Sequence, residues 1–322
     1  MKTSTFLHAG AVLSLALFAG CSDAGPPTPA APVVVDGRIP VFAAAASGPK
    51  SVLPTGKGLG VALGADPRAR AKNTIEYHAG PVMTNVQDVY FIWYGTWGSD
   101  SVAEKNKTIM TDLASNFCGQ AYTDMWRAYT DTQGRAPLGC LIYAGNYFDA
   151  YSHGRTLSDA DVADIVRNQF ATNWLPQDPA GIYIVLASAD VAESSGFGTS
   201  YCGWHGRTDY GGSQHHIGFL GWPERAPSNC APNGVGPNGT VGADAAASHL
   251  VGLLSDIATD PAFGAWYDKL GLEMADKCIW TYGTTYTAAN GAKANVRLGS
   301  RDFLLQQLWV PSRNGGACAL HP

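Results

Sequence analysis
The chain has 322 residues and a formal charge of -5, a sign that excludes a nucleic-acid binder, which would present a basic face. Only 15% of residues are charged, against about 25% in typical soluble domains. With 38 Gly, 9 Trp and 14 Tyr the chain is rich in loops and aromatics, a composition common in exported proteins that contact carbohydrate or other envelope polymers.

Lys2 precedes "TFLHAGAVLSLALFAG", residues 5–20, an apolar run too short to span a membrane comfortably. It closes on small residues, as a secretory signal does, directly before Cys21. The ending Leu17-Phe18-Ala19-Gly20-Cys21 resembles the bacterial lipoprotein signal, whose cysteine takes a diacylglycerol and becomes the new N-terminus. Phe18 stands where Leu is usual. Residues 1–20 are therefore read as a signal peptide and Cys21 as a lipid anchor in a membrane. Each buried methylene of the acyl chains adds roughly 0.8 kcal/mol. Ser22 points to the outer membrane, where the host has one. Ordinary cleavage beside an incidental cysteine is the alternative. Residues 21–73 are biased to Pro, Ala and Gly and are read as a flexible tether. Their "PTGKGLG" lacks the full phosphate-loop spacing and follows no clear strand, so no nucleotide site is assigned.

About 250 residues remain from 74 to 322, enough for one domain with a real core. "DVYFIWYGTW" at 88–97 is β-branched and aromatic and predicts a buried strand, with Tyr90, Phe91, Trp93, Tyr94 and Trp97 as core. A helix follows over 101–118, with Val102, Ile109, Leu113 and Phe117 at helical spacing. A strand is predicted over 138–148. A second helix over 158–170 starts at Ser158, with Asp161 placed as in a capping box. "GIYIVLAS" at 181–188 is the most strand-like run. The region 194–243 is rich in Gly, Ser, Pro, Asn and Cys and reads mostly as loop, with "HHIGFLGW" as an edge strand. A helix with a broad apolar face starts near Asp244 and ends at Pro261. "DFLLQQLWVP" at 302–311 fits a short helix or a strand. This alternation predicts an α/β fold: one layered domain with a mixed, largely parallel central sheet flanked by helices, and disulfide-braced loops.

Setting Cys21 aside, six cysteines remain in an oxidising compartment and imply a disulfide framework. Pairing sequence neighbours closes the shortest loops and gives Cys118–Cys140, Cys202–Cys230 and Cys278–Cys318. Cys202 and His205, three residues apart in "YCGWHG", could instead supply half of a zinc site; the disulfide reading uses Cys202 up.

Several segments together resemble the exordium, or phosphate-induced protein, family of secreted plant proteins and its bacterial relatives. They are "YHAGPVMT" at 77–84, "FIWYG" at 91–95, "IYIVLASADV" at 182–191, "CGWHG" at 202–206, "PNGTVGADAAASHLVGLLSDIATDP" at 237–261, "CIWTYG" from Cys278, and "FLLQQLWVP" with Cys318 near the end. The resemblance runs in order over nearly all of 75–318. It implies an exported, wall- or envelope-associated protein and assigns no reaction.

Some relatives of this type carry His-Glu-x-x-Glu on the helix before the turn that matches Thr259-Asp260-Pro261. Two ligands four apart on a helix can hold zinc while the adjacent Glu activates water. Here those positions are Gly252, Leu253, Leu254, Ser255 and Asp256, so only one carboxylate remains. His249 falls three residues early. Glu273 and Asp276 lie where a further ligand would be expected. His215 and His216 are adjacent and would face opposite ways on a strand; His78, His205 and these two are expected to bond loop backbone. Asp190 and Glu193, after the strand at 181–188, mark a binding rim.

The leading expectation is a non-catalytic, lipid-anchored protein of the cell envelope with no cofactor, meeting envelope polysaccharide or protein. The alternative is a diverged zinc metallohydrolase drawing on His205, His249, Asp256 and Glu273. Replacing Cys21 with Ala is expected to leave the protein uncleaved or released from the membrane. Membrane association with normal processing in that variant, read by fractionation and mass spectrometry, would refute lipidation.

Overall fold
Gln87–Tyr94 (β1) buries seven of its eight residues, because both faces of the strand are covered. Val89, Phe91 and Trp93 enter one apolar cluster and Tyr90, Ile92 and Tyr94 a second one across the sheet. A strand buried on both sides reads as a continuous apolar run rather than an alternation. The computed structural model describes residues 55–57, 74–313 and 315–322. The signal sequence, Cys21 and the 21–73 segment apart from 55–57 lie outside them. No helix among the described residues is long and apolar enough to cross a membrane.

The other main elements are α1 (Ser101–Ser115), β2 (Leu141–Asp149), α2 (Asp159–Ala171), β3 (Ile182–Ala187), β4 (Gly203–Tyr210), β5 (Ser213–Gly221) and α3 (Gly242–Thr259). The central sheet is mixed, in the order β2-β1-β3-β5-β4. β2, β1, β3 and β5 run parallel to their neighbours, and β4 pairs antiparallel with β5. Ile109, Met110 and Leu113 of α1 join the α3 residues Leu250, Val251 and Leu254 in the first cluster. Val162, Ile165, Val166 and Phe170 of α2 pack in the second.

Local chemistry explains the helix starts. Asp100 caps α1 by accepting from the Val102 and Ala103 amides. Ser158 and Asp161 form a reciprocal capping box on α2. Val102, expected on the buried face of the first helix, is 60% exposed in its first turn, and Phe117 is buried just past its end.

Two expectations need correction. "HHIGFLGW" belongs to β5, which lies inside the sheet between β3 and β4 rather than at its edge. The edge is β4, in a stretch expected to be loop. Gly203, Gly206, Arg207 and Asp209 dilute its alternation, yet Tyr210 pairs with Ser213 across Gly211-Gly212. Both glycines have positive φ, 60° and 80°, as a two-residue hairpin turn with matching twist requires. The ambiguous stretch at 302–311 is strand: Arg301–Phe303 pairs with Val296–Leu298 and Leu308–Val310 with Ala317–Ala319.

Three disulfides brace the loops: Cys118–Cys140, Cys202–Cys230 and Cys278–Cys318. The second ties the start of β4 to the short helix Pro227–Cys230 ahead of α3. The third holds the 3-10 turn Asp276–Cys278 to the C-terminal strand Ala317–Ala319.

Candidate functional site: a buried carboxylate cluster
α3 is buried on all sides, with 17 of its 18 residues inaccessible. Its N-terminus is set by Asp244, which accepts from the Asn238 and Thr240 amides. Its C-terminus is closed by Asp260, whose Oδ1 accepts from the Gly264 and Ala265 amides at 2.7 Å each. A carboxylate one turn apart from Asp260 therefore points into the protein as well, and that residue is Asp256.

Asp256 Oδ1 accepts from the Ala275 amide at 2.7 Å, which ties α3 to the segment 273–278. Oxygens of Asp256, Glu273 and Asp276 all lie within 4.8 Å of one another. The three residues are only 5%, 2% and 7% exposed, so their charges meet little water. Glu273 also reaches the sheet edge, where its Oε2 lies 3.1 Å from His205 Nε2 on β4. The segment Asp276–Cys278 is pinned by the Cys278–Cys318 disulfide, and Lys277 beside it turns to Asp268, 2.9 Å away.

Burial dominates the titration of these groups. It raises the Asp256 carboxyl well above its ordinary range, and Asp276 and Glu273 add to the rise. Burial raises Glu273 well above its range too, followed by repulsion from Asp260 and Asp276. Asp260 is raised by burial and partly relieved by its two amide donors. Burial lowers His205 to about 4, against the pull of Asp260 and Asp276. His205 and Glu273 stand at hydrogen-bond distance, 3.1 Å, and burial opposes charge on both groups.

Of the four sequence candidates, Asp256, Glu273 and His205 converge, and Asp276 completes the carboxylate set. His249 does not join it. Its Nε2 bonds the Cys230 carbonyl at 2.8 Å. His205 departs from the expectation of a backbone partner for its ring. Cys202 is in its disulfide, so the Cys-x-x-His spacing holds no ion as a pair. His215 packs against Phe170 and Tyr183 of the second cluster, while His216 borders a groove with Arg207 and Gln214. His78 stacks on Tyr267 and approaches its carbonyl. At the rim, Asp190 is engaged by Arg155, Tyr151 and Ser188, and Glu193 is buried and accepts from Tyr201 Oη at 2.6 Å.

Sequence reasoning missed two parts of this site. Asp260, which closes α3 four residues after Asp256, was not among the candidates. The second is Thr55–Lys57, read as tether but lying against the domain. Gly56 O accepts from the His205 amide at 2.9 Å. Gly56 has φ 69°, and a Cβ there would sit 2.0 Å from the His205 carbonyl, so only glycine fits. Lys57 Nζ donates to Asp159 and Ser195, and stands over the rings of Tyr201 and Trp204. A small pocket of about 40 Å³ opens beside the cluster, bordered by Gly56, His249, Gly252, Asp256, Asp276 and Gln306.

Burial also lowers His249 to about 4, offset in part by the Cys230 carbonyl. An unfolded histidine titrates near 6.5. Between these values the unfolded chain takes protons that the folded chain refuses. The stability from neutral His249 is therefore complete above about pH 6.5 and is lost as pH falls toward 4, by on the order of 3 kcal/mol. The raised carboxyls act with the opposite sign and are common to wild type and variant. His249→Gln, which keeps an amide donor, is expected to lose less melting temperature than wild type between pH 7 and 4.5. Equal losses would contradict this assignment.

Comparison with known proteins gives the chain its relatives. It is 30% identical to Protein EXORDIUM-like 3 of Arabidopsis thaliana over 274 residues, covering 73% of this chain and 80% of that protein. Protein EXORDIUM of Arabidopsis thaliana is 26% identical over 76% of this chain and 88% of its own length. Protein PHOSPHATE-INDUCED 1 of Nicotiana tabacum is 25% identical over 74% and 86%. No solved structure matches the chain. The family model of the phosphate-induced protein 1 conserved region matches residues 75–319, and the chain belongs to the phosphate-induced protein family, which its exordium relatives share.

Proposed function
We propose that the protein works outside the cytoplasm as a non-catalytic component of the cell envelope, held by lipid on Cys21 and recognising envelope polysaccharide or protein. Family membership and three disulfides support an exported address. The observation that carries the non-catalytic reading is the chemistry of α3 beside the carboxylates. Gly252 and Leu253 present neither a ligand nor a base there, His249 bonds a carbonyl, and His205 bonds Glu273. The Gln306 amide fills the space over Gly252, 2.8 Å from where a Cβ would stand.

The second reading is a diverged zinc hydrolase, favoured by the meeting of Asp256, Glu273 and Asp276. Catalytic zinc usually takes histidine among three protein ligands and keeps a fourth position open for water. An all-carboxylate set suits harder ions instead.

The test uses the full-length protein purified from membranes. Co-sedimentation with isolated envelope polymers is expected, with zinc far below one equivalent and no hydrolysis of envelope peptides or glycans on adding zinc. One tightly held zinc per chain together with chelator-sensitive hydrolysis would overturn the proposal.

A further inference from the structure
We infer that the carboxylates of Asp256, Glu273 and Asp276 form a binding site for a calcium-sized hard divalent cation, with His205 as a positioning residue. This goes beyond the envelope role and does not depend on which polymer the protein meets.

Three buried carboxylates come from two separate pieces of chain and still bring an oxygen each within 4.8 Å of the others. Calcium holds its oxygens at about 2.4 Å, so two ligands of one ion stand up to about 4.8 Å apart. Oxygens this close together can share a single ion of that size after small side-chain shifts.

A second observation points to the same ion. Glu273 is 2% exposed, and while its Oε2 meets His205, its Oε1 is fully buried with no hydrogen-bond partner. A buried oxygen left unpaired is costly, and more so on a carboxylate. Asp260, outside the triad, likewise buries an Oδ2 with no partner. The orphan Glu273 oxygen belongs to a member of the triad, and a bound cation would give it the partner that the protein does not. The adjoining pocket of about 40 Å³, bordered by Asp256 and Asp276, has room for the ion with a water or two.

The donor set selects the kind of ion. The triad contains no sulfur or nitrogen, and oxygen-only sets suit calcium, magnesium and manganese rather than zinc. Magnesium demands near-ideal octahedral geometry and keeps several waters, whereas calcium accepts irregular carboxylate sets. His205 holds Glu273 from the edge strand β4, as outer partners fix ligating carboxylates elsewhere. The bound ion would clamp α3, the segment 273–278 and β4 together.

The experiment uses the full-length protein stripped with chelator, then equilibrated with calcium. Uptake of one calcium per chain and a raised melting temperature are expected. Glu273→Gln should weaken uptake by more than about tenfold and remove the rise in melting temperature, while Glu104→Gln, an exposed control on α1, changes neither. No uptake at millimolar calcium, or uptake equal in Glu273→Gln, would overturn the site. Should Glu273→Gln fail to fold, terbium luminescence lifetimes on wild type in light and heavy water decide it. An ion largely stripped of water supports the buried triad, and a largely hydrated one overturns it. Zinc that displaces equimolar calcium and switches on hydrolysis overturns this site and the proposed function together. Absence of calcium binding alone overturns only the site.

Discussion
A carboxylate survives inside a protein only where the fold brings donors to it, and Asp256 takes its donor from the Ala275 backbone. That one hydrogen bond joins the most buried helix to a loop segment far along the chain. Around it stand Glu273, Asp276 and Asp260, each of them acidic and each inaccessible. Replacing such a cluster with packed apolar side chains often costs a fold nothing. Its presence here therefore shapes everything near it: the His205 contact from β4, the approach of Gly56, and the disulfide that fixes the turn after Asp276.

Much of the fold was legible because it obeys simple periodicities. β1 and β3 are uninterrupted apolar runs because helices cover both sides of them. α2 announced itself by Ser158 and Asp161, which do form the expected cap. β4 was not legible by apolar content, because an edge strand next to one hairpin partner tolerates Gly203, Gly206 and charged Arg207. Its signal was the Gly211-Gly212 turn, a feature of backbone sign rather than hydrophobicity. The docking of Thr55–Lys57 carried no periodic signal at all. It depends on one glycine meeting a carbonyl and one lysine meeting aromatic rings, and both partners come from distant chain.

The site was partly legible in the same sense. The motif that the resemblance implied, counted back from Thr259-Asp260-Pro261, singled out Asp256 and, downstream, Glu273 and Asp276. Spacing along the chain could not tell that His249 turns toward Cys230, nor that His205 crosses to Glu273. Those choices follow from which neighbour offers a hydrogen bond once water is gone.

By accepting from the Ala275 amide, the Asp256 side chain closes α3 on the 273–278 segment. Denaturant unfolding of Asp256→Asn and Asp256→Ala side by side in chelator measures that contact. Asn keeps an oxygen for the Ala275 amide and removes a crowded charge, so it should match or exceed wild type. Ala orphans that amide and should lose about 1–3 kcal/mol. Equal damage from both substitutions would contradict the account.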